Sequence, residues 1–583
     1  MKNKAHKYIN MRIAIIGVMF FVLILAIGTK AVYLQLFCGS WLSERAANQY
    51  AKDLVTAGKR GVIYDRNHHE MAVSIGTTSL AAYPSRLENK RSTARKLAKI
   101  LDLNPRKLSR KLNSQRTFVW IKRHASPKEL SEVKRLNLNG IDFIPSYSRF
   151  YPNKTLAAQV LGFTGTDGHG LEGVEYYYDK KLRGEENRRV ILKDALGRGF
   201  AKEAKAAGKN PVAVDQAQNI VLTIDRTIQF IAENALNEAV EQFSAESGMA
   251  IVMDPQTGAV LAMANAPLFN PNTFGRFPRE SWRNRAITDP YEPGSTMKIF
   301  TAAAALESGT CTPSTIFFCE NGVYRIGRNV IHDTHPRGWL SLQQIVKFSS
   351  NIGVVKIIES IGSDPLYHTL TNFGFGEKTR LDCPGETSGV LAPPKRWTRV
   401  DTGAISFGQG MSVSALQLVT AASAIANGGN LMQPHIVAAV SDHNGRIVER
   451  TEPRMVRTAV SAKTAGIVKR IMKTVITEGG TGVNAALDGY TVSGKTGTAQ
   501  KIDSSGKYAR SKYVSSFLGF APADEPRVVI LVVVDEPEGE HYGGIVAAPA
   551  FKKIAHETLN YLNIPPMLEK DKLRVSIATE DKG

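Results

Sequence analysis

The chain has 583 residues, 43% of them hydrophobic and 22% charged, with a formal net charge of +21. That length exceeds one ordinary core, so at least two folded units are expected; four cysteines are too few for a disulfide framework and show no metal-ligand spacing, so neither metal nor cofactor is expected. Lysines and arginines are spread along the chain without a basic-aromatic stripe, which argues against nucleic acid and for a basic surface near anionic lipid.

The first element is an apolar run from Ile13 to Gly28. With Thr29 and Ala31 to Phe37 it is long enough to cross a hydrocarbon layer of about 30 Å. Lys2, Lys4, Lys7 and Arg12 precede it, so the N-terminus is expected in the cytoplasm and the remainder outside. A cleaved signal peptide would need a small-x-small site, but Lys30, Tyr33, Gln35 and Phe37 follow, and bulky Phe37 before Cys38 argues against lipid attachment. An uncleaved anchor is expected. Ser40 to Ala57 reads as a helical stalk. Arg60-Gly61-Val62-Ile63-Tyr64-Asp65-Arg66 opens a mixed region reaching about Val214, with helical stretches around Ser92 to Leu112, a turn-rich Gly162 to Gly168 and Gly173-Val174-Glu175. Ala204 to Asn210, with Pro211, reads as a linker.

The pattern changes at Asn219. Ile220 to Ile224 reads as a strand, and Asp225 as the N-cap of a helix reaching about Phe243. Gly248 to Met253 and Ala259 to Ala264 form a hairpin across Asp254-Pro255-Gln256-Thr257-Gly258. Cys311 and Cys319 could pair or remain as two buried thiols. The apolar run Val528 to Val534 predicts a central strand buried on both faces, Ala548 to Leu562 a helix, and the charged residues beyond Pro565 a loose tail.

Three short words carry the chemistry. Ser-x-x-Lys occurs three times, at Ser131, Ser295 and Ser504, about as often as chance allows. Only Ser295 follows a Pro293-Gly294 bend and begins an apolar helix, which places it in a first turn where free N–H groups and the helix dipole favour a developing anion. Lys298 lies on the same helix face. Held against an apolar wall, it would lose proton affinity and could serve as a base. Ser349-Ser350-Asn351 interrupts two apolar helical stretches, as a cleft or a cap would. Lys495-Thr496-Gly497-Thr498 is the only Lys-Thr-Gly in the chain. There Gly497 is expected to leave room for a substrate backbone added as a β partner, and Lys495, Thr496 and Thr498 to anchor a carboxylate.

In this order and spacing the words resemble the active-serine penicilloyl transferases. Over nearly its whole length the chain resembles a class B penicillin-binding protein. Arg60-Gly61 with Asp65-Arg66, Arg149-Phe150-Tyr151-Pro152, Gly162-Phe163 and Gly173-Val174-Glu175 look like the boxes of that family's N-terminal module, with one departure: His68 stands where the family usually has glycine. Between the anchor and Arg60 there is no room for a glycosyltransferase domain, so the bifunctional class A enzymes are excluded. Ser406-Phe407-Gly408-Gln409-Gly410-Met411, Leu416-Gln417-Leu418, Tyr542-Gly543-Gly544 and Ala547-Ala548-Pro549 resemble the division-type members.

The resemblance implies an α+β fold: an antiparallel sheet flanked by helices plus a helical subdomain, behind a single transmembrane helix and an elongated pedestal. The implied boundaries are 1–12 cytoplasmic, 13–37 anchor, 38–217 pedestal, 218–563 transpeptidase domain and 564–583 tail. Ser295 would attack the penultimate D-alanine of a stem peptide, with Lys298 as base and Ser349 and Asn351 in the proton network. The N–H groups of Ser295 and Thr498 would form the oxyanion hole, and Lys495, Thr496, Gly497 and Thr498 would bind the substrate's terminus. β-Lactams would be inhibitors. The implied setting is the cytoplasmic membrane at the septum, with a SEDS-type glycosyltransferase and other division proteins as partners. An elongation-type enzyme, a carboxypeptidase or β-lactamase, a multi-span β-lactam sensor and an idle scaffold are the alternatives; the single span argues against the sensor.

Overall fold

A computed structural model of the chain describes residues 2–39, 41–42, 51–56, 58–183, 187–193, 199–201, 217–503 and 505–566. The chain divides into two compact units. The smaller comprises 1–58, 76–147 and 186–214, and the larger 59–75, 148–185 and 215–583.

In the smaller unit, helix α1 (Lys2–Leu36) carries a stretch, Lys7–Leu36, of mean hydropathy 2.6, long and apolar enough to cross a membrane. A helix meets all its own backbone hydrogen bonds, which is what allows such a segment to sit in lipid. The helical stalk expected over Ser40 to Ala57 is corrected at its end. Ala51–Thr56 is a strand, β1, paired antiparallel with β2 (Asn187–Lys193), Asp53 opposite Val190. The Leu-Val-Thr run favours extended backbone, and β2 supplies its hydrogen-bond partners. Residues 43–50 and 57, the linker at 204–211 and the tail from 567 lie outside the described residues.

The helical stretch around Ser92 to Leu112 resolves into α2 (Lys90–Leu101) and α3 (Pro105–Leu112), because Asp102 takes a left-handed cap and Asn104 with Pro105 restarts the helix. With α4 (Pro127–Arg135), opened by a Ser126/Glu129 capping box, they enclose a core of Leu97, Leu101, Leu108, Leu112 and Val133. Ser131 sits exposed on α4, its hydroxyl donating to the Lys128 carbonyl.

The larger unit is built on a five-stranded antiparallel sheet. Its strands are β3 (Ser247–Met253), β4 (Val260–Ala266), β5 (Ser493–Ile502), β6 (Tyr508–Ala521) and β7 (Val528–Asp535), in the order β4-β3-β7-β6-β5. Strand β7 is central, and Val528 to Val534 are all 0% exposed. Its alternation divides two cores. Ile530, Val532 and Val534 face helices α5 (Arg226–Gln242) and α10 (Ala548–Tyr561), while Val529, Leu531 and Val533 join the core of α6 (Lys298–Glu307), α8 (Asn351–Ile361) and α9 (Ala415–Ala426). The remaining short helix, α7 (Leu342–Phe348), precedes α8. Asp225 caps α5 as expected, accepting from the N–H groups of Thr227 and Ile228. Strand β5, which carries the Lys-Thr-Gly word, is a sheet edge.

The N-terminal boxes that fall in this unit meet on one carboxylate. Glu175, 0% exposed, takes Arg60 Nε at 2.6 Å and Arg149 Nε at 2.5 Å, and Arg60 also pairs with Asp179 at 2.6 Å. Such a buried network is intolerant of losing one member, because an unpaired buried charge costs several kcal/mol. His68 has a φ of +63° and closes a turn onto the Asp65 carbonyl, which gives the physical reason for the family's glycine there.

Candidate active site

The Pro293-Gly294 bend leads into a 3-10 turn, Gly294–Met297, that runs directly into α6. Gly294 has a φ of +56°, donates its N–H to the Gly408 carbonyl at 3.1 Å, and would bring a Cβ to 2.9 Å from the Thr498 carbonyl oxygen. The turn is therefore clamped between the Ser406–Met411 segment and strand β5. Ser295 lies half-buried on it.

Lys298 is fully buried. Its Nζ donates to the Ser349 carbonyl at 2.5 Å, to Asn351 Oδ1 at 2.7 Å and to Ser349 Oγ at 3.1 Å. From the facing strand Lys495, also fully buried, donates to the same Ser349 Oγ at 2.9 Å and to Thr496 O and Oγ1 at 3.1 and 3.3 Å. One hydroxyl thus joins two buried amines from remote parts of the chain. The expected contact of Lys298 with Ser295 is not direct: among the described residues the Ser295 hydroxyl makes no hydrogen bond, leaving it free for a substrate. Catalytic hydrogen bonds often form only once substrate is bound.

Ser349 reaches its place by an unusual backbone. It caps α7 with a φ of +61°, a left-handed conformation costing ~1 kcal/mol for a residue with a Cβ. Ser350 then caps α8, accepting from Gly353 N–H at 2.8 Å and donating to Asp333 Oδ2 at 2.5 Å. Asp333 Oδ1 accepts from the N–H groups of Asn351 and Ile352 at 2.6 and 3.0 Å. A carboxylate at a helix N-terminus is favoured by the helix dipole, and here it fixes the Ser-Ser-Asn turn. Sequence reading missed Asp333, which lies in the polar segment after a short hairpin with no motif to mark it. It also missed Thr481, whose hydroxyl meets that of Thr496 at 2.9 Å, and the contact of Gly543 N–H with Thr498 Oγ1 at 3.1 Å.

Packing gives Gly497 a requirement of its own. A Cβ there would stand 2.2 Å from Ser516 Oγ and 2.9 Å from Thr296 Cγ2. Its bare face thus receives the Ser295 turn, inside the protein.

Burial sets the charges. It pushes the Lys298 amine down to about 7, against a smaller upward pull from Asp333. Lys495 is held well below the ordinary lysine range, first by burial and then by the positive charge of Lys298. Two amines bridged by one hydroxyl do not both carry a proton easily, so they titrate as a pair. A buried amine of lowered proton affinity, a bridging hydroxyl and a serine at a helix start are the parts of an acyl-transfer site. Among the described residues no group of His, Cys, Asp and Glu could hold a metal ion, and the cysteines, Cys311 and Cys319 included, are free thiols.

The chain is similar to known proteins over almost its whole length. Residues 248–556 match the family described as penicillin binding protein transpeptidase domain, and residues 55–213 the penicillin-binding protein dimerisation domain. The probable peptidoglycan D,D-transpeptidase PenA of Neisseria meningitidis is 36% identical over 96% of this chain and 94% of its own length. The peptidoglycan D,D-transpeptidase FtsI of Escherichia coli is 34% identical over 92% and 89%. The crystal structure of penicillin binding protein 3 from Mycobacterium tuberculosis complexed with aztreonam superimposes with a TM-score of 0.68 at 28% identity, over 88% of this chain and 98% of that one. A chain that shares both domains with such relatives across almost its whole length, and their fold, belongs to the class B penicillin-binding proteins.

Proposed function

We propose that this protein is a peptidoglycan D,D-transpeptidase that cross-links stem peptides through an acyl-enzyme on Ser295 and is trapped there by β-lactams. The single observation that carries the reading is the buried chain from Lys298 through Ser349 to Lys495 beside the Ser295 turn, in a member of this family. Ser295 Oγ attacks the carbonyl carbon of the penultimate D-alanine. Lys298, which loses its proton as pH rises through about 7, takes the serine proton. Backbone N–H groups of Ser295 and Thr498 hold the oxyanion; one such donor is worth roughly a hundredfold to a thousandfold in rate. The C–N bond breaks, and the proton passes through Ser349 to the departing D-alanine amine, with Asn351 steadying the amide network. Lys495, Thr496 and Thr498 hold the terminal carboxylate along β5. An amine from a neighbouring stem then attacks the ester, forming the cross-link and regenerating Ser295.

The apolar N-terminal helix supports a single-pass anchor with the catalytic domain outside the cytoplasmic membrane. The domain assignment we adopt is 38–217 for the pedestal and 218–563 for the transpeptidase. The division-type segments at 406–411, 416–418, 542–544 and 547–549 favour septal synthesis beside a SEDS-type glycosyltransferase and other division proteins. The test is cross-linking of pentapeptide-bearing glycan by the purified full chain and by Ser295→Ala. Product from wild type alone supports the reading, and equal product from both overturns it. For the cellular role, depletion is expected to give filaments; round cells would point instead to elongation.

A further inference from the structure

Away from the residues of the acylation site, a cavity of about 600 Å³ opens in the larger unit, its lining drawn from segments 373–380, 431–434 and 454–457 with Ser388, Gln417 and Thr420. That volume suits a small molecule. Three cations line it, Lys378, Arg380 and Arg454, and among the described residues none of them has a carboxylate partner. A fourth, Arg457, gives Nη2 to Glu377 at 2.7 Å and leaves its buried Nε without a partner. The hydroxyls of Thr379 and Thr420 are likewise buried and unpartnered, and Thr420 is 4% exposed. Unspent buried hydrogen-bonding groups cost about 1–3 kcal/mol each, and native folds keep them few. Here three belong to residues lining one cavity.

The wall is held rigidly. The Glu386 carboxylate accepts from the N–H groups of Thr379 and Arg380 at 2.5 and 3.0 Å. Gln433 Nε2 donates to the Arg380 carbonyl at 3.1 Å, and Arg380 is fixed at a φ of +65°. Gln417 Nε2 ties the Glu377 and Ser388 carbonyls at 2.8 Å each. Left-handed backbone at an arginine persists only when its surroundings over-determine it. The ordering cost that a flexible basic loop would incur on binding has therefore been met in the fold.

We propose that this cavity is a ligand site for an oxyanion, a carboxylate or phosphate carried by a small anionic molecule, separate from the acylation site. Lys378, Arg380 and Arg454 supply the charge and the charged hydrogen bonds. The ligand's source is either free phosphate or the carboxylates of a wall fragment; choosing the second as a probe rests on the proposed peptidoglycan activity, and the first does not.

The full chain in detergent, with its active site blocked by excess penicillin, is titrated calorimetrically with inorganic phosphate and separately with a phosphate-free muramyl peptide. Wild type is expected to bind at least one of them saturably, and the responding arm names the source. Lys378→Gln with Arg454→Gln, both at exposed positions, is expected to weaken binding about tenfold or more, since hydrogen bonds to charged groups are each worth about that factor. Arg380→Gln, at a third exposed position, should weaken it about threefold to tenfold. Penicillin labelling of Ser295 should stay unchanged in both variants, which reports that they fold. No saturable binding of either probe, or wild-type affinity in both variants, overturns the proposal.

Discussion

Replacing Gly497 with alanine tests how the strand and the Ser295 turn are fitted together. Gly497 pairs directly with Ser516 across β5 and β6, so the added methyl cannot be relieved by a slip in register. It would stand 2.2 Å from Ser516 Oγ, 2.9 Å from Thr296 Cγ2 and 3.2 Å from the Pro293 carbonyl oxygen, where ordinary contacts begin near 3.4 Å. Ser516 is 1% exposed and Thr296 0%, so neither neighbour has room to retreat. Overpacking of this kind costs about 1–3 kcal/mol. The larger effect falls on chemistry: a shift of β5 by ~1 Å from the Ser295 turn costs roughly a hundredfold in rate. We expect Gly497→Ala to remain folded, to melt lower, and to acylate about a hundredfold more slowly, measured as the second-order rate constant with fluorescent penicillin. Adding Ser516→Gly removes the worst contact and should recover part of the loss. Acylation by Gly497→Ala within about threefold of wild type would refute the packing argument.

Other substitutions probe the remaining parts of the account. His68→Gly relieves a left-handed residue and is expected to raise stability by about 1 kcal/mol in denaturant titration, with penicillin labelling unchanged. Glu233 is buried and accepts from Ala157 N–H and Gln229 Nε2 at 2.7 and 2.8 Å; burial pushes its carboxyl up to about 7. The folded state therefore binds its proton more tightly than the unfolded chain, a stabilisation complete below the ordinary glutamate range and lost as pH rises through about 7. Glu233→Gln should match wild type in acid and be more stable above neutrality by about 1–3 kcal/mol, seen as a flattened profile of stability against pH. Asp333→Asn removes the anion that caps α8 and raises the Lys298 amine, so it should cost about 1–3 kcal/mol and move the midpoint of acylation to lower pH.

Local chemistry carried much of the fold into the sequence. The β3–β4 hairpin, the doubly buried run of β7 and the Asp225 cap each rest on residues adjacent in the chain, and each forms as expected. The three words of the site also converge, because apolar helices and a sheet edge present polar residues at their ends. Long-range pairing was not legible. Ala51–Thr56 becomes a strand only because Asn187–Lys193 returns to meet it. The need for Gly497 lies in a Ser516 side chain on another strand and a Thr296 on another element. Asp333 gains its role only when a hairpin brings it to the start of α8, and the Ser349 hydroxyl that joins Lys298 to Lys495 sits on a left-handed backbone.

The most direct measurement of the central claim is the pH dependence of covalent penicillin labelling, with the adduct mapped by mass spectrometry. The adduct is expected on Ser295 alone and to vanish in Ser295→Ala. Its rate should climb as pH rises through about 7, where the buried Lys298 amine loses its proton. An adduct on Ser131 or Ser504, or a rate flat from about pH 6 to 8, would contradict an acyl-enzyme formed by a serine whose base is that lysine.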